Sequence, residues 1–330
     1  MATIKDVAKL ASVSVSTASI ALNGNKNVKT ETRVRVLEAA KKLNYRKNGS
    51  AADLKKSQTK TLALIVDDLS GPFFSELIKG VQDVTLSKGY DLITCSAIGG
   101  ENSTPTRFLL EKRTDGVIIL AHTLKNEMIL HASMEGFPIV LLDRQLDSRH
   151  TIHIQVDNEQ GAYNAVHYLI SLGHRSIAYV SGNATSTDNH CRYRGFQKAM
   201  DEFGLEQPDK WNISGSFTEE GGYHTTKMLI MQGQLPSAIF YANDEMAIGG
   251  IQAFSEKGIK VPEDVSIIGF DDILLSRYTT PALTTIHQPK YEMGSLAAHL
   301  IFRALSGESF EQQLYTLETR LVKRSSCRQV

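Results

Sequence analysis

The sequence predicts an α/β protein in which a small helical unit precedes two lobes, each built on a doubly wound parallel sheet. Three observations predict this fold. The chain has 330 residues, which is enough for two or three domains. Residues 1–46 carry helical periodicity, whereas residues 62–270 contain short apolar runs separated by amphipathic stretches. Continuous apolar runs of this kind are typical of parallel strands that helices cover on both faces.

The composition narrows the class of protein. At 42% hydrophobic and 22% charged residues, the chain is typical of soluble globular proteins. It has no apolar run of about 18 residues, so no membrane span is expected, and its N-terminus lacks the apolar segment of a secretory signal. The three cysteines, Cys95, Cys191 and Cys327, are far apart. They predict neither a disulfide framework nor a zinc site, which favours a cytoplasmic protein.

Charge is divided unevenly along the chain. Residues 1–60 contain 13 Lys and Arg against 4 Asp and Glu, whereas residues 61–330 contain 23 against 32. The formal net charge of zero therefore conceals a basic front segment and an acidic remainder. This split favours a first segment that binds a polyanion, although a solvated basic face would give the same counts.

Residues 3–43 predict three helices joined by short turns. The run "SVSVS" interrupts the first helical pattern, and Ser14 can cap the second helix through its side-chain oxygen. The small and apolar residues that indicate the helices are Ile4, Val7, Ala8, Leu10 and Ala11, then Ala18, Ala21 and Leu22, then Val34, Leu37, Ala40 and Leu43. Two short helices joined by a tight turn and braced by a third describe a helix-turn-helix headpiece.

The second helix of such a unit enters the major groove of DNA. Val15, Ser16 and Ile20 are expected to point outward from it. Ser16 can bond to a base or a phosphate, and the two apolar side chains suit thymine methyl groups. The alternative is a helical hairpin that binds another protein.

The stretches "TIKDVAKLA-VS-ST-S" and "NV-TETR-RVLEAAKKLNY" resemble the DNA-binding headpiece of the lactose-repressor (LacI/GalR) family of bacterial transcription regulators. The resemblance continues along the whole chain. The DNA-binding positions that it implies in the headpiece are Thr3, Ser14, Val15, Ser16, Thr17, Ser19, Ile20, Asn23 and Lys29. The family often has Gly at the position of Ser12, and many members have Arg or His where Ile20 stands. Without that Arg, the operator is expected to depend less on guanine at that base pair.

Residues 47–60 are polar and basic, and the resemblance implies a hinge that becomes helical on operator DNA. Leu54 would then wedge into the minor groove, with Lys55 close to phosphates. Ala52 and Asp53 depart from the family pattern, in which Arg and Ser are common, so hinge docking is expected to be weaker. A plain flexible linker is the alternative.

Seven apolar runs in the remainder predict strands, and a break near residues 155–162 indicates two lobes. The runs are 62–66, 91–95, 116–120, 138–142, 177–181, 237–241 and 265–270. In open α/β sheets, ligands bind beyond the carboxyl ends of the strands, so the pocket is expected in a cleft between the lobes. The polar residues that follow predicted strands are Asp67, Asp68, Asp143, Arg144, Asn243, Asp244, Asp271 and Asp272. Taken singly, each could be a helix cap or a loop residue.

The segments "GHRSIAYVSG", "YANDEMAIGGIQAFSEKGIKVPEDVSIIGFDD" and "TTPALTTIHQP" resemble the periplasmic-binding-protein-like core of the same family. The effector-binding residues that the resemblance implies are Phe73, Asp143, Arg192, Phe217, Asn243 and Asp271. Of the two nearby arginines, Arg192 aligns with the family pattern and Arg194 does not. Gly71 stands where Asn is frequent, which affects the expected contact from the first lobe.

The sequence offers no basis for catalysis, a cofactor or a metal site. It lacks a nucleophile elbow and a phosphate-binding glycine loop. His150 and His153 are three residues apart in an extended-looking run, which places them on opposite faces. His190 is isolated, and a surface histidine is the favoured reading.

The predicted protein is a cytoplasmic, homodimeric repressor that binds pseudo-palindromic operator DNA under the control of a small effector, for which a sugar is favoured. Purines and phosphorylated sugars stay open as effectors, and a solute-binding protein and a two-lobed enzyme are the other classes. The predicted domains are a headpiece (1–46), a hinge (47–60) and a core (61–330). Within the core, lobe 1 spans about 61–158 and 289–318, and lobe 2 spans about 159–288 and 319–330.

Overall fold

The computed structural model describes residues 2–22, 28–45, 58–99, 103–134, 136–310 and 313–330. The chain forms two compact units, Met1–Thr59 and Lys60–Val330. Within the described residues, no helix combines the length and the apolar character that a membrane span requires.

The described residues of the first unit form three helices, α1 (Ile4–Leu10), α2 (Val15–Leu22) and α3 (Thr30–Lys42). Their shared core consists mainly of small side chains, which let the helices approach closely. The buried residues are Val7, Ala8, Ala11, Ala18, Ala21, Val36, Ala39 and Ala40.

The predicted buried face of α3 is wrong in part. Val34 and Leu37 are 47% and 46% exposed, whereas Val36 and Ala39 are buried. Both sets have helical spacing, so periodicity alone does not choose between them. Packing against α1 and α2 determines which of the two sets is buried, because small side chains at the contact allow close helix crossing.

The second unit contains two six-stranded sheets. The strands in chain order are β1 (Thr61–Val66), β2 (Asp91–Ser96), β3 (Gly116–Leu120), β4 (Ile139–Leu142), β5 (Thr151–Val156), β6 (Ile177–Ser181), β7 (Asn212–Ser214), β8 (Ala238–Tyr241), β9 (Ser266–Asp271), β10 (Thr284–His287), β11 (Leu314–Leu317) and β12 (Arg320–Val322). One sheet has the order β11-β5-β4-β3-β1-β2, and the other has the order β12-β10-β9-β8-β6-β7. All paired strands are parallel except β10 and β12.

Helices cover both sheets, as a doubly wound fold requires. In chain order they are α4 (Phe73–Ser87), α5 (Thr104–Leu110), α6 (Asn126–Met134), α7 (Asn158–Ser171), α8 (Thr187–Glu202), α9 (Glu219–Met231), α10 (Asp244–Glu256) and α11 (Lys290–Leu305). The sheet that contains β1, with its helices, is called lobe 1, and the sheet that contains β6 is called lobe 2. The chain passes between the lobes after β5, after β10 and after β11.

The predicted fold class and all seven predicted strands are confirmed, each strand within one residue at either end. The seven predicted strands do not include β7, β10, β11 and β12, which are short or contain polar residues, and β5 was noted only as an extended-looking run around His150 and His153. In β10, Thr284 and Thr285 are fully buried, and in β5, His153 is 5% exposed. Hydrogen bonds satisfy these side chains, so a polar residue interrupts the apolar run without leaving the core.

Helices α4 and α11 cross at a pair of glycines in lobe 1. A methyl group at Gly80 would lie 2.1 Å from the carbonyl oxygen of Tyr291, and one at Gly294 would lie 2.2 Å from that of Leu77. Only glycine lets the two backbones meet at this distance. The contact fixes the position of α4, which begins at Phe73.

Candidate functional site

A cavity of about 680 Å³ lies between the two lobes at the carboxyl ends of their strands. We call it the inter-lobe cavity. Lobe 1 contributes Asp67, Asp68, Ser70, Gly71, Phe73, Phe74, Leu120, His122, Thr123 and Asp143. Lobe 2 contributes Asn183, Thr185, Ser186, Asp188, Arg192, Ser216, Phe217, Thr218, Asn243, Glu245 and Asp271. All six effector-binding residues predicted from the sequence therefore line the same cavity.

Arg192, on α8, holds a fixed position in this cavity. Its side chain is 4% exposed, and it donates hydrogen bonds to the Asn158 side chain and to the carbonyl oxygen of Ala242. Its guanidinium carbon lies 3.9 Å from the centre of the Phe270 ring. These contacts hold the charged side chain in one conformation. Little side-chain entropy is therefore lost when it binds a ligand, and its orientation toward the ligand is fixed.

Asp271 ends β9 beside Arg192. Its Oδ1 atom lies 3.6 Å from Nη1 of Arg192, and it accepts a hydrogen bond from Gln288. Burial raises the pKa of Asp271 to about 6, although Arg192 and Lys290 act in the opposite direction. The backbone is left-handed here, with φ at +117°. Asp271 is one of the residues that line the inter-lobe cavity.

Asp143 follows β4 and faces the cavity from lobe 1. Its Oδ1 atom accepts a hydrogen bond of 3.1 Å from the backbone nitrogen of Val156. The residue is 8% exposed, and burial together with the nearby Asp188 carboxylate raises its pKa to about 7. Close to neutral pH this carboxyl group can therefore donate as well as accept a hydrogen bond.

Asn243 and Phe217 form one structural unit in lobe 2. The Asn243 side chain accepts from the backbone nitrogen of Met246, which caps α10, and donates to the carbonyl oxygen of Phe217 at 3.0 Å. The Phe217 ring packs directly on Gly182, where a methyl group would lie 2.0 Å from the ring. Asn243 is thus both a helix cap and the tether of an aromatic side chain that lines the cavity.

The aromatic side of lobe 1 is formed by Phe73 and Phe74, whose ring centroids are 5.4 Å apart at an angle of 87°. A Cβ atom at Gly71 would lie 3.4 Å from the Phe74 ring and from Oε1 of Glu245. The space that a larger residue would use at position 71 is therefore partly occupied by these neighbours.

His122, Asp188 and Glu245 also line the inter-lobe cavity, and none of them was predicted from the sequence. His122 comes two residues after β3, and its strand-end position could have indicated it. Asp188 lies one helical turn before Arg192, with 3.6 Å between Oδ2 and Nη2. Burial and the nearby Asp271 raise the pKa of Glu245 to about 7.

Three polar residues do not line the inter-lobe cavity, although they follow strands as some of the predicted cavity residues do. Arg144 donates to the carbonyl oxygens of Ala121 and Leu124. Asp244 is fully buried and accepts from Thr285 and from the backbone of Ile273. Asp272 is paired with Arg324 and His287. Each of these side chains is engaged by its own lobe, so each has a structural role.

In the first unit, helix α2 presents the outward face that the sequence predicted. Val15 is 44% exposed and Ile20 is 39% exposed, whereas Ala18 and Ala21 are buried. Thr3, Ser14, Ser16 and Lys29 are exposed, and Thr17 and Ser19 are half-buried. Asn23, Leu54 and Lys55 lie outside the described residues.

Ser14 caps α2, as expected from the sequence. Its hydroxyl accepts from the backbone nitrogen of Thr17 at 3.1 Å and lies 2.8 Å from the hydroxyls of Ser16 and Thr17. Ser12, in the turn before it, has a left-handed backbone with φ at +52°. This conformation is unfavourable for a residue with a side chain and natural for glycine.

The histidines near β5 do not form a metal pair. His153 contacts Thr151 and the carbonyl oxygen of Arg144, whereas His150 is exposed. In the part of the chain that the structure describes, no group of three or more His, Cys, Asp or Glu side chains is arranged to hold a metal ion.

Comparisons with known proteins agree with these two units. Residues 3–48 match the model for bacterial regulatory proteins of the lacI family, and residues 166–327 match that for a periplasmic binding protein-like domain. The transcriptional repressor PurR of Pasteurella multocida is 39% identical over 329 residues, which cover 99% of this chain and 98% of the relative. PurR of Histophilus somni is also 39% identical, with 99% of each chain covered.

Solved structures give the same result. The lac repressor dimer bound to operator and the anti-inducer ONPF has a TM-score of 0.81 and 27% identity, with 99% of each chain covered. The complex of the regulator CelR with cellobiose has a TM-score of 0.74 and 28% identity, covering 99% of this chain and 100% of that one. The chain therefore belongs to the LacI family of bacterial regulatory proteins and is a DNA-binding transcriptional repressor with a small-molecule effector.

Proposed function

We propose that the effector is a carbohydrate bound in the inter-lobe cavity. The observation that carries this proposal is the combination of fixed polar groups and phenyl rings along its walls. Asp143 and Glu245 have pKa values of about 7, so their carboxyl groups can donate and accept hydrogen bonds, as sugar hydroxyls do. Phe73 and Phe217 supply apolar surface for the C–H face of a sugar ring.

The charge of the lining disfavours a phosphorylated sugar. Carboxyl groups outnumber the single arginine, Arg192, whose guanidinium already faces Asp188 and Asp271 at 3.6 Å. A phosphate would add negative charge next to these carboxylates in a partly desolvated cavity, where charge repulsion is strong. A neutral polyhydroxylated ligand avoids this cost.

A purine is the second candidate, and the phenyl rings favour it. Phe73 and Phe74 from lobe 1 and Phe217 from lobe 2 could enclose a flat base, and relatives of 36–39% identity are named PurR. A base offers fewer hydrogen-bonding groups than a sugar. It would leave more of the carboxyl groups in the lining without a ligand partner.

On the DNA side, we propose that a homodimer in the cytoplasm places two α2 helices in successive major grooves of a pseudo-palindromic operator. The contact residues would be Thr3, Ser14, Val15, Ser16, Thr17, Ser19, Ile20, Asn23 and Lys29, with Leu54 and Lys55 from a hinge at residues 47–60. The basic charge of residues 1–60 supports this assignment. The headpiece would span 1–46 and the core 61–330. The protein would act as a regulator and not as an enzyme.

The effector would act by binding one inter-lobe geometry more tightly than another. Its residues come from both lobes, so ligand binding would bias the angle between them. In a dimer, that angle sets the spacing of the two DNA-binding units.

Two measurements on the full chain test the proposal. Thermal unfolding with D-ribose, D-glucose, D-fructose, sucrose, cellobiose, hypoxanthine and guanine should show stabilisation by a sugar. A ligand at about 100 times its Kd should add roughly 2.7 kcal/mol. Stabilisation by a nucleobase alone would reject the carbohydrate proposal in favour of the purine.

The second measurement is fluorescence anisotropy with operator-like and random duplexes. Affinity should fall by roughly 10³-fold or more between 50 and 200 mM salt, because phosphate contacts release counterions. The same sugar should change the affinity for the operator-like duplex. An equal affinity for both duplexes, with and without every ligand, would contradict sequence-specific operator binding.

A further inference from the structure

Two side chains in the inter-lobe cavity each have a buried polar atom without a partner. Among the described residues, four side chains have such an atom. Two of the four, His122 and Asp188, line the cavity, and the atoms concerned are Nε2 of His122 and Oδ1 of Asp188. A buried polar atom without a hydrogen bond is desolvated with nothing to compensate for the water it has lost. Two of them in one ligand cavity indicate groups that a ligand satisfies.

The surroundings of His122 fix which of its nitrogen atoms carries hydrogen. Asp67 accepts from the backbone nitrogen of His122 at 3.0 Å, and its Oδ2 atom lies 3.3 Å from Nδ1. Burial alone would raise the pKa of Asp67, but hydrogen bonds from His122 and Thr123 outweigh it and lower that pKa to about 2. Asp67 is therefore ionised at neutral pH, and Nδ1 of His122 donates to it.

The other nitrogen of His122 is a hydrogen-bond donor when the ring is protonated. The hydrogen bond to Asp67 and the charge of Asp188 raise the pKa of His122, while burial and Arg144 act in the opposite direction. The net effect raises the pKa of His122, which favours the imidazolium form. Its Nε2–H group then has no acceptor among the residues that the structure describes.

Asp188 presents the complementary group from lobe 2. Its Oδ2 atom lies 3.6 Å from Nη2 of Arg192, and this contact orients the carboxylate. Its Oδ1 atom is the one without a donor. The cavity thus contains an unused donor on lobe 1 and an unused acceptor on lobe 2.

We propose that His122 and Asp188 bind one hydroxyl group of the carbohydrate effector between them, with Nε2–H of His122 donating to the hydroxyl oxygen and Oδ1 of Asp188 accepting its hydrogen. A hydroxyl can do both at once, whereas an ether or carbonyl oxygen can only accept. This inference rests on the proposed carbohydrate effector. Because the two residues belong to different lobes, the hydroxyl they share would link the lobes directly.

The test is a double-mutant cycle on the full chain, measured by isothermal titration with the sugar that binds the wild-type protein most tightly among the seven compounds above. His122→Ala and Asp188→Ala should each raise the Kd roughly 10- to 100-fold, as expected for a hydrogen bond to a charged group. The double variant should raise it by much less than the product of the two, because both residues act on one hydroxyl. Asp188→Asn retains an acceptor and should bind more tightly than Asp188→Ala.

Controls separate this effect from misfolding. His190→Ala and Asp201→Ala change exposed residues on the same helix as Asp188 and should bind the sugar as the wild-type protein does. Thermal unfolding without ligand shows whether each variant is folded. A deoxy form of the sugar, lacking the shared hydroxyl, should bind the wild-type protein about as weakly as the parent sugar binds the single variants.

The outcomes distinguish this inference from the proposed function. If a sugar binds the wild-type protein and both single variants equally, the shared hydroxyl is refuted while the carbohydrate effector stands. Fully multiplicative losses would show that the two residues contact separate groups and would also refute it. If only a nucleobase binds the wild-type protein, or none of the seven compounds does, the carbohydrate effector fails and this inference fails with it.

Discussion

The carboxyl group of Asp143 should make the folded core less stable as the pH rises, and Asp143→Asn should remove that effect. Burial raises the pKa of Asp143 to about 7 in the folded chain, against an ordinary value of 3.8. The folded state therefore binds this proton more tightly than the unfolded state does. Its contribution to stability is full below about pH 4 and is lost as the pH rises to about 7, at about 1.4 kcal/mol per pH unit.

Between pH 5 and pH 8 this linkage amounts to a loss on the order of 3 kcal/mol in the wild-type protein. Asparagine stays neutral across that range and can still accept from the Val156 nitrogen through its own Oδ1 atom. It also tolerates the left-handed backbone at this position, where φ is +48°. The variant should therefore be more stable than the wild type, by a margin that widens with pH.

The assay is thermal unfolding of both proteins at half-unit steps from pH 5 to pH 8. The difference in Tm should grow by roughly 5 °C across the series. Other carboxyl groups with raised pKa values, such as Glu245 and Asp271, titrate in both proteins and largely cancel in the difference. Asp147→Asn, at an exposed position shortly after Asp143, is the matched control and should run parallel to the wild type. Parallel curves for Asp143→Asn itself would refute the argument from burial.

Three further predictions concern stability and binding. Ser14→Ala should destabilise the first unit by about 1 kcal/mol through loss of the α2 cap, whereas Ser14→Asn should not; circular dichroism melting would show this. Gly80→Ala should destabilise lobe 1 by roughly 1–3 kcal/mol, measured by urea unfolding, because its methyl group would clash with the Tyr291 carbonyl oxygen. Asn243→Ala should weaken effector binding measured by calorimetry, since Phe217 loses its tether; unchanged affinity would show that the ring is held by packing alone.

The strands of the core could be predicted from sequence because buried parallel strands are continuous apolar runs. The choice between Val34 and Val36 on α3 could not, because both fit the helical period and only the neighbouring helices decide. The six predicted cavity residues were found through their position after strands or through resemblance. His122 was missed although it lies two residues after β3, and Asp188 was missed because it lies within a helix, where no strand end marks it. Arg144 was misread because a position after a strand does not show which way a side chain turns.

The chain passes from lobe 1 to lobe 2 between β11 and β12, and this connection affects how the protein folds during synthesis. Residues 314–322 supply one of the two edge strands of each sheet, β11 in lobe 1 and β12 in lobe 2. During synthesis, neither lobe can reach its full set of strands until this segment has left the ribosome. A nascent chain halted before it would have an open sheet edge in each half, ready to pair with another chain. Both lobes should therefore complete their folding at nearly the same time, near the end of synthesis.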